Sequence, residues 1–215
     1  MRIAPRPSQT RRQWLAGAAA SVVATPAFAR AAPVVTLLGD SITAGYGLPA
    51  AAALPARLQA ALGKLGAPAT VRGAGVSGDT SGDGLARVDF SVRGDTALCV
   101  VALGGNDLLQ GLDPATTKSN LEAIVRRLRT RRIPVVLAGL TAPTAIGAAY
   151  ARDFDAIFPK VAQATGATLY PDLLAGVARI PRLNQADGIH PNAAGVNIIA
   201  ARLAPVIARR LRTPR

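Results

Sequence analysis

The chain has 215 residues, half of them hydrophobic and 4% aromatic, and its formal net charge is +13. This length and apolar content suit one domain with a substantial core. One cysteine and one histidine exclude an internal disulfide and argue against a structural zinc site. The basic charge is accompanied by neither a nucleic-acid-binding motif nor aromatic stacking residues, so we predict no nucleic-acid partner.

Residues 1–31 have the composition of an export signal. Basic residues precede a short alanine-rich segment, and a small-x-small cleavage pattern follows at 27–31. The pair Arg11-Arg12 resembles a twin-arginine signal, which the twin-arginine export machinery would read. We therefore predict a leader over 1–31, a single mature domain over 32–215 and a periplasmic or secreted location. The alternative is an uncleaved N-terminal anchor.

Beyond the leader, short apolar runs alternate with longer segments of helical periodicity. The runs predict five strands, near 33–40, 69–75, 96–105, 133–140 and 167–171. The longer segments predict helices near 50–65, 81–90, 114–131, 149–165 and 192–211. Several runs are apolar throughout, as in strands of a parallel sheet that is covered on both faces. The alternation predicts a right-handed βαβ series in one three-layer α/β/α sandwich.

Polar, glycine-rich loops follow several of the predicted strands. Three of them read GDSITAGYG (39–47), GVSGDTSGDG (75–84) and GGNDLL (104–109), and a fourth, DGIHP, contains the histidine. Open α/β sheets bind ligands beyond the carboxyl ends of their strands. We therefore expect the four loops to meet in one crevice.

Three residues in these loops could act as nucleophile, base and orienting carboxylate. A serine hydroxyl needs a base, and imidazole is the usual one. Ser41 supplies the hydroxyl, His190 the imidazole and Asp187 the carboxylate that would fix its tautomer. Donors for an oxyanion are the backbone N–H groups of Ser41 and Gly78 and the side-chain amide of Asn106. Each motif alone is also an ordinary turn or helix cap, so the combination carries the prediction.

The four loops together resemble those of the SGNH (GDSL-type) hydrolases, whose four letters correspond to Ser41, Gly78, Asn106 and His190. The stretches SGDTSGDGLAR and ADGIHPN are similar to the bacterial periplasmic thioesterase, arylesterase and lysophospholipase branch. The resemblance covers 33–207. It implies a flavodoxin-like sheet of five parallel strands, an acyl-serine intermediate, and hydrolysis of esters or thioesters without a metal or organic cofactor.

The chain departs from that branch at a few positions. Gly73 stands where the branch usually has an asparagine, and Leu54 stands where it often has a tryptophan. In this branch the loop after the fourth strand borders the acyl site. We therefore expect Ile146 to form part of one wall of a shallow groove for short to medium acyl chains. Asp40 and Asp107 are predicted to be local hydrogen-bonding and capping residues.

The favoured substrate is a small-molecule or lipid ester, but three other functions stay open. A carbohydrate O-deacetylase of the same superfamily would need a cleft rich in aromatic or polar sugar contacts. A non-catalytic flavodoxin-like binding module would hold phosphate in the glycine-rich loops and would not need Ser41. A basic surface-attached protein would contact an anionic membrane peripherally through the arginines of 209–215.

Overall fold

The computed structural model describes residues 1–4 and 31–213 of the chain. Most of the predicted leader lies outside these residues, so the leader, its cleavage pattern and the alternative anchor stay predictions. From Ala32 onward the chain forms one compact unit. In the described residues, no helix has both the length and the apolar character needed to cross a membrane.

The core of this unit is one parallel sheet with the order β2-β1-β3-β4-β5. Its strands are β1 (Val34–Gly39), β2 (Thr70–Gly75), β3 (Thr96–Ala102), β4 (Val135–Ala138) and β5 (Thr168–Tyr170). This is the flavodoxin-like order, in which ligands bind where the winding reverses, between β1 and β3. Both the five predicted strands and the α/β class are confirmed.

The strand register brings three of the glycine-rich loops to one place. Gly39, the last residue of β1, pairs with Gly75 of β2 on one side and with Ala102 of β3 on the other. The loops that leave these three strands therefore begin at the same level of the sheet. The sequence places GDS, SGD and GGND in those loops, so their polar residues start close together.

Helices cover the sheet on both faces. The helices are α1 (Ser41–Ala44), α2 (Leu54–Lys64), α3 (Ser81–Ser91), α4 (Gly105–Leu109), α5 (Pro114–Thr130), α6 (Ala148–Asp155), α7 (Ile157–Thr165) and α8 (Ala193–Arg212). In one layer α2 packs on α8, and in the other α5 packs on α3 and α7. The sheet lies between these layers, as the predicted sandwich requires.

Two predicted helices differ from the observed ones. The segment 149–165 is two helices, because Pro159 has no N–H to give to the carbonyl of Asp155, which breaks the hydrogen-bond ladder there. The segment 50–65 begins with a 3₁₀ turn, Ala50–Ala52, and its α-helix starts only at Leu54.

Cys99 lies in β3 and is fully buried, as its apolar neighbours predict. Burial raises the pKa of its thiol to about 12. The thiol therefore stays protonated at neutral pH and acts as a small apolar filler of the core.

Candidate active site

Ser41 lies at the junction of β1 and α1. It is 8% exposed, and the carboxylate of Asp40 caps the short helix by accepting a hydrogen bond from the N–H of Ile42 at 3.0 Å. Gly39 permits the turn, because a Cβ there would lie 2.7 Å from the carbonyl oxygen of Ala102. The turn therefore presents the hydroxyl of Ser41 at the edge of the sheet where the loops meet.

The structure joins the three predicted catalytic residues in one hydrogen-bonded chain. His190 Nε2 lies 2.9 Å from Ser41 Oγ, and His190 Nδ1 lies 2.7 Å from Asp187 Oδ2. These distances let the imidazole exchange a proton with the serine hydroxyl while the carboxylate holds its other nitrogen. Residues 149 positions apart are thus in direct contact.

The base loop, residues 184–191, is held largely by its own backbone. Asp187 Oδ1 accepts hydrogen bonds at 2.9 Å from the N–H groups of Ile189 and His190. These two bonds and the contact with the His190 ring lower the pKa of Asp187 to about 2, the backbone bond from His190 being the largest cause. Asp187 is therefore a carboxylate throughout the neutral range and presents its negative charge to His190 Nδ1.

Two residues that the sequence analysis missed support this loop. The ring of Tyr46 lies 4.6 Å, centroid to centroid, from that of His190. Gln185 donates hydrogen bonds from its side-chain amide to the carbonyl oxygens of Tyr46 at 2.7 Å and Pro191 at 3.1 Å. No periodicity or motif marks either residue, because their partners are distant in sequence or belong to the backbone.

The predicted oxyanion donors lie in the three loops beyond β1, β2 and β3. Asn106 Nδ2 donates to the carbonyl oxygen of Asp79 at 2.8 Å, which leaves its second amide hydrogen available. In residues 31–213, no protein acceptor is bonded to the backbone N–H of Ser41 or Gly78. Gly78 has a φ of +91°, so its backbone angle rather than a crowding neighbour requires glycine. Each of the three predicted donors therefore keeps one N–H that no protein acceptor in the described residues occupies.

Asp107 acts over a longer range than predicted. Its Oδ1 accepts from Ser81 Oγ at 2.5 Å and from Thr117 Oγ1 at 3.0 Å, and its Oδ2 accepts from the Ser81 N–H at 2.7 Å. The predicted local role is therefore wrong for Asp107, which is 1% exposed and connects α4 to α3 and α5. It fixes the short helix that carries Asn106.

Asp40 does have the predicted capping role, but it is also a buried acid. It is 4% exposed, and burial, the largest cause, raises the pKa of its carboxyl to about 6. The hydrogen bond from Ile42 acts in the opposite direction. The pKa values of Asp40 and Asp187 are therefore shifted in opposite directions.

A mainly apolar cavity of about 110 Å³ lies beside Ser41 and His190. Its apolar lining comes from Ile42, Leu108, Leu109, Leu140, Leu174 and Ile189. Ile146, the predicted wall residue, is not part of this lining; it ends the 3₁₀ turn Thr144–Ile146 and is 44% exposed. Leu108 and Leu109 could have been suspected from the sequence, since they stand two and three residues after Asn106, a predicted oxyanion donor.

Within the described part of the chain, no group of His, Cys, Asp and Glu side chains is arranged to hold a metal ion.

Known proteins resemble the chain in both sequence and fold. Residues 37–198 match the model of the GDSL-like lipase/acylhydrolase family. The chain is 38% identical to the esterase TesA of Pseudomonas aeruginosa over 162 residues, covering 75% of this chain and 81% of that protein. It is also 38% identical to thioesterase 1/protease 1/lysophospholipase L1 of Escherichia coli K12, covering 76% of this chain and 78% of that protein.

A solved structure agrees with these matches. The crystal structure of AlinE4, an SGNH-hydrolase family esterase, superimposes with a TM-score of 0.70 at 42% identity, covering 85% of this chain and 98% of AlinE4. The matched segment contains Ser41, Gly78, Asn106, Asp187 and His190. The chain belongs to the GDSL-like lipase/acylhydrolase family and is a serine hydrolase that acts on ester bonds.

Proposed function

We propose that the protein hydrolyses carboxylic esters and thioesters with short to medium acyl chains through an acyl-enzyme on Ser41. The observation that carries the proposal is the continuous contact from Ser41 through His190 to Asp187, at 2.9 and 2.7 Å. This arrangement supplies a nucleophile, a base and an orienting carboxylate beside an apolar cavity.

In acylation, Ser41 Oγ attacks the carbonyl carbon while His190 Nε2 takes the hydroxyl proton. The carbonyl π electrons move onto oxygen, and the N–H groups of Ser41 and Gly78 and the amide of Asn106 stabilise this oxyanion. When the tetrahedral intermediate collapses, the C–O or C–S bond to the leaving group breaks and His190 returns the proton to it. A water molecule then repeats the sequence on the acyl-serine, with His190 again as base.

The cavity supports a preference for apolar acyl groups of modest length. Its lining is chiefly aliphatic, and its small volume of about 110 Å³ suits a short chain. Leu109 and Ile189 are 62% and 48% exposed, so a longer chain would extend past them into solvent. Each additional methylene outside the cavity would gain little from burial.

The same lining disfavours a carbohydrate deacetylase, since it lacks the aromatic faces that contact sugars. A non-catalytic binding module would leave the Ser41–His190–Asp187 geometry without a role. Neither alternative has an observation of its own in its favour.

The periplasmic or secreted location and export by the twin-arginine machinery remain part of the proposal. They are supported by the sequence pattern of residues 1–31. Peripheral contact with an anionic membrane is supported by Arg209, Arg210 and Arg212 in the last turn of α8. Binding of the mature protein to anionic vesicles, with and without residues 209–215, tests this contact.

Mass spectrometry after fluorophosphonate treatment tests the catalytic proposal. We expect one adduct, located on Ser41 and absent from Ser41→Ala. No adduct on folded protein that also fails to hydrolyse esters would overturn it. Rates on a series of p-nitrophenyl esters from acetate to palmitate test the acyl preference. A sharp optimum at palmitate would contradict the proposed preference for short to medium chains.

A further inference from the structure

Arg87 lies on α3 but reaches the ends of two strands of the sheet. Its Nη2 donates to the carbonyl oxygen of Gly39 at 2.8 Å, and its Nη1 donates to that of Ala74 at 2.9 Å and to Ser91 Oγ at 3.0 Å. Its Nε donates to Asp79 Oδ2 at 2.5 Å. One guanidinium thus connects β1, β2 and the loop after β2.

These contacts touch the segments that carry two of the predicted oxyanion donors, Ser41 and Gly78, and reach the third, Asn106, through Asp79. Gly39 lies two residues before Ser41, and Asp79 directly follows Gly78. The carbonyl oxygen of Asp79 also accepts the hydrogen bond from Asn106 at 2.8 Å. Arg87 therefore acts on the N–H groups of the oxyanion site through their immediate neighbours.

Arg87 also balances a charge beside the oxyanion site. The side chain of Asp79 is 11% exposed and that of Arg87 is 20% exposed, so water screens this ion pair weakly. Without the guanidinium, the carboxylate would be left buried and unpaired next to Gly78. Such a charge would repel the negative oxygen that forms in the transition state.

We propose that Arg87 is a positioning residue for the oxyanion site: through Asp79 it sets the geometry of Gly78 and Asn106 and cancels the carboxylate charge beside them. This inference rests on the proposed acyl-serine mechanism. Because the oxyanion exists only in the transition state, loss of Arg87 lowers kcat and leaves KM nearly unchanged.

The chain offers a matched control in another arginine–aspartate pair. Arg72, in the middle of β2, donates to both carboxylate oxygens of Asp95 at 2.7 Å. Asp95 is 55% exposed and lies in the turn before β3. In the described residues, the side chains of Arg72 and Asp95 form hydrogen bonds to each other and none to the active-site loops. Arg72→Gln therefore removes an arginine from a carboxylate without touching the oxyanion donors.

The first test compares the steady-state kinetics of three variants with those of the wild type on one p-nitrophenyl ester. We expect Arg87→Gln to lower kcat about 30- to 100-fold with KM within about threefold, which is somewhat less than the loss of one direct oxyanion donor. Arg87→Lys should be intermediate, because an ammonium keeps the charge but not the planar fork. Arg72→Gln should stay within about twofold of the wild type.

A double variant separates the effect of the unpaired Asp79 charge on kcat from the effect of lost packing around Arg87. Arg87→Gln/Asp79→Asn carries no unpaired carboxylate, so we expect it to regain about tenfold in kcat over Arg87→Gln. A role in packing alone predicts the opposite, since the second substitution removes a further contact. A double variant no more active than Arg87→Gln would therefore overturn the charge part of the proposal.

A second cycle tests whether Arg87 acts through Asn106. In the Asn106→Ala background, Arg87→Gln should lower kcat by only about tenfold, because the donor that it positions is already gone while the unpaired charge of Asp79 remains. Full additivity, or a rise in KM at constant kcat, overturns the proposal. If Arg87→Gln fails to fold, Arg87→Met, which is also uncharged, takes its place in both cycles.

Fluorophosphonate labelling keeps this inference separate from the proposed function. An unlabelled wild type refutes the acyl-serine mechanism itself. A labelled wild type with Arg87→Gln labelled at the same rate refutes only the role of Arg87, since the phosphonyl oxygen occupies the same oxyanion site. We expect the variant to be labelled at least tenfold more slowly.

Discussion

The two sides of Ser41 are built in different ways. On the base side, Asp187 and His190 lie in one short loop, and Asp187 is exposed and bonded within three residues of itself. On the oxyanion side, Gly78 and Asn106 come from different loops, and the residues that hold them, Asp79 and Asp107, are buried and bonded to distant partners.

The exposed Asp187 also contrasts with the buried Asp40, the residue directly before Ser41. Local N–H donors lower the pKa of Asp187 to about 2, whereas burial raises that of Asp40 to about 6. The base side therefore obtains a stable negative charge from a short segment that remains in contact with water. The oxyanion side obtains its geometry from buried supporting residues that the tertiary fold brings together, which suits donors that must be in place before charge develops.

The largest expected effect is the loss of the nucleophile or the base. Ser41→Ala and His190→Ala should each lower kcat at least about 10⁴-fold, and the double variant should be little worse, because the triad acts as a unit. Steady-state hydrolysis of a p-nitrophenyl ester measures this. Multiplicative losses in the double variant would show that the two residues act independently.

The next largest loss of kcat is expected on substitution of Asp187, the exposed carboxylate of the base loop. Asp187→Asn should lower kcat about 10³- to 10⁴-fold, since the amide cannot stabilise the imidazolium and favours the wrong tautomer. Asp153→Asn, at a side chain 63% exposed and far along the chain from the triad, is the control. A loss of less than tenfold in Asp187→Asn would mean that water replaces the carboxylate at this exposed position and would break the comparison.

Removal of one oxyanion donor should lower kcat less than removal of a triad residue does. Asn106→Ala should lower kcat about 10²- to 10³-fold with little change in KM, as the amide contributes mainly in the transition state. The same assay measures it, with urea unfolding to confirm that the loop still folds. A change confined to KM would place Asn106 in substrate binding instead.

The smallest effect is a pH dependence of stability at Asp40. Its folded pKa of about 6 lies above the ordinary value of 3.8, so the native state holds this proton more tightly. The stability it contributes is present below about pH 4 and is lost as pH rises through 6, by at most about 3 kcal/mol. Asp40→Asn stays neutral and should gain stability relative to the wild type over that range.

Urea unfolding at a series of pH values from 4 to 7 measures this gain. Asp153→Asn, at an exposed acid, should follow the wild-type curve. Parallel curves for wild type and Asp40→Asn would show that the carboxyl of Asp40 is not the buried acid described above.

Sequence reasoning was most successful where a feature is local. The strands follow from short apolar runs, and the pairing of Asp187 with His190 follows from their spacing in one turn. It failed where partners are distant: Asp107 bonds to Ser81 across 26 residues, which no local pattern reveals. Ile146 was assigned to the acyl wall from a resemblance of its loop, but the cavity is lined from other elements.

By itself, the sequence determined the α/β class, the location of the polar loops at strand ends, and the residue types needed for acyl transfer. Only the tertiary structure decided the strand order, the cavity lining and the bonds of Arg87 to Gly39, Ala74 and Asp79. The physical reason is the separation in sequence over which each kind of interaction acts. Periodicity and turn chemistry are set by neighbours in the chain, whereas burial, pKa shifts and the support of the oxyanion donors depend on segments that only folding brings into contact.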